Sequence, residues 1–202
     1  PLIQKGRNKL ARKVQKLHKT QGESPFDPTK VIDIFYANLP QQLLGICSRT
    51  MVLELQVAGL QGVLQGNTSQ ERFYSFIQYL CQRDRLLALL QEYPIMARQL
   101  VICIEQWVNF SLEFLTHLSA DWHEIKNNFS PNKDPGQLVE VRGSEGDSHR
   151  QGRSVIVAKF SSGLQLVYKP RSLSVDVHFQ QLLTWLNDRG ANPPFKTINI
   201  LD

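Results

Sequence analysis

The spacing of apolar residues changes once along this chain, and that change limits the possible folds more than any other feature. Residues 29–127 mainly follow the three-to-four-residue spacing of helices. A linker rich in Pro and Asn follows at 127–136, and beyond it short alternating segments surround the hairpin signal Ser161-Ser162-Gly163. Strands are predicted at 138–141, 154–160 and 164–168, and a fourth is expected to begin at 197–201. With a helix predicted at 175–187, the pattern indicates an α+β fold.

The helical part is expected to contain several separate helices. Leu39-Pro40 predicts a boundary, because proline interrupts a helix and restrains the preceding residue. Asn67-Thr68-Ser69 with Glu71 supplies capping candidates for one helix, and Pro94 suits the first turn of another. Helices are predicted at 47–64, 69–79, 94–118 and 119–127. The predicted domains are 1–28, a basic helix and linker; 29–130, a helical region; and 131–202, a truncated β lobe.

Positive charge is concentrated at the start of the chain. The net charge is +5, yet residues 1–20 hold seven Lys and Arg and no acidic residue, which leaves a balance of −2 elsewhere. Leu10, Val14 and Leu17 fall at helical spacing, so this segment is predicted to be a basic amphipathic helix. Such a helix can contact an acidic peptide or membrane headgroups, or it can simply be a solvated face with one packed stripe. No aromatic interleaving or known motif accompanies the charge, so no nucleic-acid partner is predicted.

Composition restricts the cellular setting. The apolar fraction of 42% is that of a globular protein, and no apolar run approaches the length that spans a bilayer, so no transmembrane segment is expected. Cys47, Cys81 and Cys103 are widely spaced and form no CxxC pair. They are expected to be buried free thiols in a reducing compartment, which favours a cytoplasmic location, and no metal site is predicted from them.

The stretch from 143 to 171 carries the clearest chemical signal. It predicts a strand, a glycine-rich turn, a strand, a tight turn and a strand, with Lys169 at the end of the apolar run Leu166-Val167-Tyr168. A lysine opposite a glycine-rich hairpin and followed by a helix is typical of a kinase-type small lobe. The backbone amides of the turn can approach nucleotide phosphates, and the lysine can neutralise them. The alternative is a lysine whose side chain extends along an exposed strand face.

Other charged residues near this hairpin are candidates with plainer alternatives. Asp147 and His149 would share a face if extended, although their spacing alone favours an ordinary turn. Asp147 could orient His149 or pair with Lys169. The forked guanidinium groups of Arg150, Arg153 and Arg171 suit phosphate, but each arginine could equally form a surface ion pair. The helix after Lys169 contains Asp176 but no Glu, which departs from the ordinary kinase pairing of lysine with a helix glutamate.

The exact residues around Lys169 are more specific than the layout. The hairpin motifs are Gly146-Asp147-Ser148-His149, Gly152-Arg153-Ser154-Val155 and Leu166-Val167-Tyr168-Lys169-Pro170-Arg171-Ser172-Leu173. Downstream motifs are Val175-Asp176, His178-Phe179 and Leu182-Leu183-Thr184-Trp185-Leu186-Asn187. Upstream ones lie at 51–58, 66–73 and 93–98. In order and spacing these segments resemble the dehydratase region of class II lanthipeptide (lantibiotic) synthetases, and the resemblance covers about residues 49–202.

This resemblance implies a bifunctional bacterial enzyme whose dehydratase phosphorylates Ser and Thr of a precursor (leader–core) peptide with ATP and Mg²⁺. Elimination of the phosphate then gives dehydroalanine or dehydrobutyrine. The family implies Asp147, His149 and Lys169 as catalytic residues, without dividing the two reactions between Asp147 and His149. Nucleotide contacts are expected from Lys169, Gly146, Gly152, Arg153 and Arg171.

The resemblance also implies parts beyond Asp202. A second lobe and a zinc-dependent cyclase domain are expected there, so the chain is interpreted as an N-terminal fragment that is inactive alone. Two other interpretations stay open. One is a different ATP-dependent enzyme of kinase fold, and the other is a non-catalytic module that binds a leader peptide through its helices and strand edges.

Overall fold

A computed structural model describes residues 2–19, 24–143 and 152–202 of the chain. It contains helices followed by a small antiparallel sheet, which confirms the α+β prediction. The chain divides into two compact units. The first is Pro1–Ile3 with Asn38–Glu105, and the second is Gln4–Ala37 with Gln106–Asp202.

Eight helices and three strands are found in the described residues. The helices are α1 (Leu2–Lys19), α2 (Val31–Tyr36), α3 (Leu39–Leu60), α4 (Ser69–Cys81), α5 (Arg83–Glu92), α6 (Pro94–Ala120), α7 (Trp122–Phe129) and α8 (Ser174–Asp188). The strands are β1 (Leu138–Arg142), β2 (Ile156–Phe160) and β3 (Gln165–Tyr168).

The first unit is entirely helical. Helix α3 begins at Leu39, well before the predicted start at 47, because Pro40 lies in the first turn, where a missing backbone N–H costs nothing. The predicted cap of α4 is confirmed: the Thr68 hydroxyl accepts from the backbone N–H of Glu71, whose carboxylate accepts from the N–H of Thr68. The Tyr93 hydroxyl donates to Glu54 Oε1 at 2.6 Å. This bond raises the pKa of Tyr93 to about 12.

The three cysteines are free thiols, as expected, but the expectation that all of them are buried was wrong. Cys81 is exposed, and Cys47 and Cys103 are half-buried. Cys81 is the last residue of α4, where the helix end leaves its side chain in solvent. Partial burial raises the pKa of the Cys103 thiol.

One helical stretch contradicts the expectation about apolar runs. Among the described residues, Val31–Leu60 is long and apolar enough to cross a membrane by length and composition. The pair Arg83–Glu92 and Pro94–Ala120, bent by 104°, passes the same test only when the two helices are taken together. A core helix or a signal sequence also passes this test, so it assigns no membrane span by itself.

The core of the second unit lies between its helices and one face of the sheet. The sheet order is β1-β2-β3 and both pairs are antiparallel. Strand β2 alternates buried and half-buried residues, and Phe160, which is fully buried, stacks on Trp122 with ring centroids 5.4 Å apart. The backbone N–H of Leu138 donates to Pro25 O at 2.8 Å, which attaches the segment before α2 to the sheet.

One expectation for the end of the chain was wrong. Residues 197–201 form no strand; instead the Ile198 N–H donates to the side chain of Gln180, and the Asn199 amide donates to Asn128 O. Within the described chain the sheet contains β1, β2 and β3 alone, so this segment bonds to α8 and α7 and not to a neighbouring strand. Helix α8 has no buried residue, and Phe179 and Leu182 are about half exposed.

Candidate functional site

Lys169 follows the last residue of β3 directly, at an edge of the sheet. Its ammonium Nζ lies 3.3 Å from Asp176 Oδ1, in the first turn of α8. Both side chains are partly exposed, at 38% and 25% of their surface. The pair fixes the direction of the lysine while leaving it accessible to an anionic ligand, which is the property that a phosphate-contacting lysine requires.

Asp176 also holds Arg171. The second carboxylate oxygen, Oδ2, lies 2.8 Å from Arg171 Nη1 as an ion pair whose angle is poor for a hydrogen bond. The Arg171 guanidinium first, and the Lys169 ammonium after it, hold the pKa of Asp176 below its ordinary value. Two predicted phosphate-contacting cations, Lys169 and Arg171, therefore converge on one carboxylate. The acid that pairs with Lys169 is an aspartate, since α8 contains no glutamate.

Gly152 and Arg153, both predicted to contact nucleotide, lie against α6. Arg153 Nη2 donates to Glu113 Oε2 at 2.6 Å, and its Nε donates to the same oxygen at 3.1 Å. The Glu113 carboxylate raises the pKa of the Arg153 guanidinium. Gly152 adopts φ +79°, in the left-handed region that favours glycine, and a Cβ there would crowd the side chain of Gln106. Arg153 is thus held to α6 by Glu113, and Gly152 lies close to Gln106 on the same helix.

Tyr168 sits beside this pair. Its ring contacts the aromatic rings of Phe110, Phe114 and His117, all on α6. The Tyr168 hydroxyl and His117 Nδ1 are 2.9 Å apart. Burial, and then the charge of Glu113, raise the pKa of Tyr168 to about 12, so this hydroxyl stays protonated at neutral pH. Strand β3 is therefore held by the tyrosine on α6 and by the following lysine on α8.

Sequence reasoning missed the contribution of α6. Gln106, Glu113 and His117 are three of the polar residues of α6, and they fall on one face at spacings of seven and four residues. That spacing was a usable signal, since polar side chains on the packed face of a helix need partners. Their partners, Gly152, Arg153 and Tyr168, come from a distant part of the chain and only the tertiary structure identifies them.

Four predicted site residues lie outside the described part of the chain: Gly146, Asp147, His149 and Arg150. The predicted roles of Lys169, Gly152, Arg153 and Arg171 stay predictions, although the structure brings Lys169 and Arg171 together on Asp176. Arg153 and Arg171 each form an ion pair, which the sequence analysis gave as the alternative to a phosphate contact.

A groove in the described structure is separate from these contacts. It has a volume of about 360 Å³ and lies between α8 and the extended segment after it, where Gln180, Trp185 and Ile198 line it. Neither Lys169 nor Asp176 contributes to its wall. Within 2–19, 24–143 and 152–202, no group of three or more His, Cys, Asp or Glu side chains is arranged to hold a metal ion.

Comparison with known proteins gives a family and a relative. A family model described as "Domain of unknown function (DUF4135)" matches residues 93–202, more than half of the chain and all the described site contacts. The chain is also similar to the lacticin 481/lactococcin biosynthesis protein LcnDR2 of Lactococcus lactis subsp. lactis, with 23% identity over 171 residues. That match covers 79% of this chain but 18% of the relative, so the chain spans less than a fifth of that protein's length.

Proposed function

The chain belongs to the family described as a domain of unknown function (DUF4135), and from this premise we propose that it is part of a lanthipeptide-modifying enzyme. The distant relative is named for the biosynthesis of lacticin 481 and lactococcin, which supports a role in making a lantibiotic. A precursor peptide is then the substrate. The class II assignment and a cytoplasmic location are parts of the same proposal.

The proposed reaction is the dehydration of Ser and Thr side chains by way of a phosphate ester. The single observation that carries it is the pairing of Lys169 with Asp176 across the junction of β3 and α8. In a kinase-type small lobe, a strand lysine contacts nucleotide phosphates and an acid on the next helix holds it in place. The order of strand, lysine, helix and acid matches that arrangement, with aspartate in place of glutamate.

In the first step, the substrate hydroxyl oxygen attacks the γ-phosphorus of ATP. The new O–P bond forms as the bond to the β–γ bridging oxygen breaks, ADP leaves, and a base accepts the hydroxyl proton. Lys169 and Arg171 supply positive charge next to the transferred group, where negative charge accumulates in the transition state. Asp176 acts as a positioning residue, because it holds both cations without itself touching the reacting atoms.

In the second step, a base removes the α-proton of the phosphorylated residue. The electrons of the Cα–H bond form the Cα=Cβ double bond, the Cβ–O bond breaks and phosphate leaves. Phosphorylation is necessary because hydroxide is a poor leaving group and phosphate is a good one. We assign Asp147 and His149 to these proton transfers as a pair, since histidine can exchange a proton near neutral pH. Mg²⁺ bound with ATP would neutralise phosphate charge. The roles assigned to these residues do not require that any of them bind the Mg²⁺ ion.

The test is mass spectrometry of a precursor peptide incubated with ATP, Mg²⁺ and the natural protein that carries this sequence. Wild type is compared with Lys169→Ala and with Lys159→Ala, which removes a lysine of similar exposure from the neighbouring strand β2. We expect losses of about 18 Da per modified residue with wild type and Lys159→Ala, and no loss with Lys169→Ala, because Lys169 is the lysine assigned to the transferred phosphate.

Two outcomes would overturn the proposal in different ways. A gain of about 80 Da without a later loss would indicate a kinase that leaves a stable phosphopeptide. An unchanged mass of the precursor peptide after incubation with folded wild-type protein would favour a peptide-binding module. If Lys169→Ala dehydrated the peptide at the wild-type rate, the assigned role of this lysine would be wrong even though the reaction class stood.

A further inference from the structure

Helix α1 carries a single line of positive charge along its exposed side. Lys5, Lys9, Arg12, Lys16 and Lys19 follow one another at alternating spacings of four and three residues, and all five are exposed. At 100° per residue these positions span an arc of about 80°, and at 1.5 Å per residue the line is about 21 Å long. The helix contains no acidic residue to interrupt it. We call these five residues the basic stripe.

The opposite side of α1 fixes the direction of the basic stripe. Gly6, Leu10 and Val14 are buried, the latter two completely. Arg7 lies on the flank of this packed side, where it pairs with Asp33 and places its guanidinium 4.6 Å from the ring centre of Tyr36. The helix is therefore held on its unit by packing and by a separate arginine. The five cations of the basic stripe face outward on a rigid support.

No acidic side chain in the described residues forms an ion pair with the basic stripe. Cations that pair with carboxylates in that part of the chain include Arg7, Lys30, Arg142, Arg153, Lys159, Lys169 and Arg171. The chain outside residues 1–20 has slightly more acidic than basic residues, so its own carboxylates were available for pairing. Five neighbouring cations on one line repel one another, and an external anionic partner would relieve that repulsion.

The geometry favours an acidic peptide over the two other polyanions. A membrane-binding amphipathic helix inserts its apolar side into the lipid, but here that side is buried in the protein. Single-stranded nucleic acid is usually bound with aromatic stacking, and α1 has no aromatic residue apart from His18. Spacings of four and three residues are those along the seam between two packed helices. A helical segment with Glu or Asp at the same spacing presents matching charges.

We propose that the basic stripe of α1 is a docking surface for an acidic peptide segment that carries carboxylates at alternating three- and four-residue spacing. Each exposed ion pair is weak, so binding needs several pairs together and weakens as salt screens them. The surface belongs to a different helix from the residues around Lys169. Docking is therefore a second activity of the chain that stands or falls independently of the reaction proposed there.

The experiment measures the binding of a fluorescein-labelled peptide to the full 202-residue chain by anisotropy. The probe is an Ala/Gln-based helix of about 20 residues with five Glu at the spacing of the basic stripe, and its Gln-substituted version is the peptide control. We expect Kd to rise about tenfold for the variant K9Q/R12Q/K16Q, because three ion pairs are lost. We also expect wild-type Kd to rise steeply between about 50 and about 300 mM NaCl.

The protein control is K30Q/R98Q/K196Q, which removes three exposed cations from elsewhere and matches the change in net charge. Its Kd should stay within about twofold of wild type. Equal weakening by both triple variants would show that only net charge matters and would overturn the proposal, as would the absence of binding to wild type. Stripe-dependent binding to vesicles of equal phosphatidylcholine and phosphatidylglycerol, or to single-stranded DNA, without peptide binding would reassign the surface. Circular dichroism verifies that both variants fold.

Discussion

The ammonium of Lys169 lies 3.3 Å from Asp176 Oδ1, and this contact joins the end of strand β3 to the first turn of α8. In the reaction proposed above, the aspartate has the role that a helix glutamate has in a protein kinase. Its second oxygen is next to Arg171, so removing this one carboxylate releases two cations at once. A change at Asp176 therefore affects the positions of both Lys169 and Arg171.

Replacing Asp176 by Asn should impair the proposed dehydration through the position of Lys169. We expect kcat/KM for ATP to fall about 10- to 100-fold, because a displacement of about 1 Å in a phosphate-contacting group has effects of this size. Asp176→Glu keeps the carboxylate and should retain more activity than Asp176→Asn. The control is Asp188→Asn, an exposed aspartate at the far end of the same helix. Equal activity of wild type and Asp176→Asn would show that Asp176 does not position Lys169.

The stability of the chain should depend on pH through the same carboxylate. The pKa of Asp176 is lowered from its ordinary value of 3.8, so the unfolded state binds this proton at a higher pH than the folded state. The contribution to the free energy of unfolding is therefore complete above the unfolded pKa and is lost as pH falls through the folded pKa. Urea unfolding of wild type and Asp176→Asn between about pH 7 and about pH 3 measures it. Their difference should shrink only at the acidic end, and a constant difference would contradict the assignment.

Removing the charge of Glu113 should lower the pKa of Tyr168. Burial and then the Glu113 carboxylate raise this pKa to about 12, and Glu113→Gln removes only the second cause. We therefore expect a titration midpoint below that of wild type but still above 10, which is the ordinary value. Absorbance of tyrosinate, taken as the difference between each protein and its Tyr168→Phe counterpart, gives the midpoint. Glu124→Gln, on the exposed surface of α7, should leave it unchanged.

Two glycine-to-alanine substitutions should have opposite effects. Gly152 has φ +79°, and an alanine there should destabilise the chain by about 1–2 kcal/mol, the usual cost of a left-handed conformation for a residue with a Cβ. Gly45 lies inside α3, and the space that an alanine Cβ would occupy has no neighbouring atom within 4 Å, so alanine there should stabilise by about 0.5–1 kcal/mol. Urea denaturation measures both. A stabilising Gly152→Ala would mean that the turn exit relaxes to negative φ.

Truncating Leu115 should be among the most costly single changes in α6. The side chain is completely buried, and Leu→Ala changes at such positions cost about 2–5 kcal/mol, depending on how far the cavity collapses. Ile95 on the same helix is 74% exposed, and Ile95→Ala should change the free energy of unfolding by no more than about 0.5 kcal/mol. Comparable losses for the two variants would show that Ile95 is covered in solution.

Local sequence patterns were sufficient for many of the elements. The basic helix at the N-terminus, the capping box at Thr68 and the three strands after the linker were all predicted and are all confirmed. Each is determined by interactions between near neighbours, such as a cap, a hairpin turn or a repeating apolar face. The start of α3 was misplaced because proline is compatible with a first turn as well as with a break.

What the sequence could not determine is which distant groups meet. The sequence marked Lys169 and Arg171 as candidate phosphate contacts. Their shared partner, Asp176, is known only from the structure, in which α8 lies beside the end of β3. The sequence indicated no partner for Arg153. In the structure its guanidinium donates to the carboxylate of Glu113, which lies forty residues earlier on α6. The expected fourth strand failed for the same reason, since strand formation needs a neighbouring edge as well as a suitable pattern. Periodicity and capping are local in the chain, whereas ion pairing and sheet pairing depend on tertiary packing.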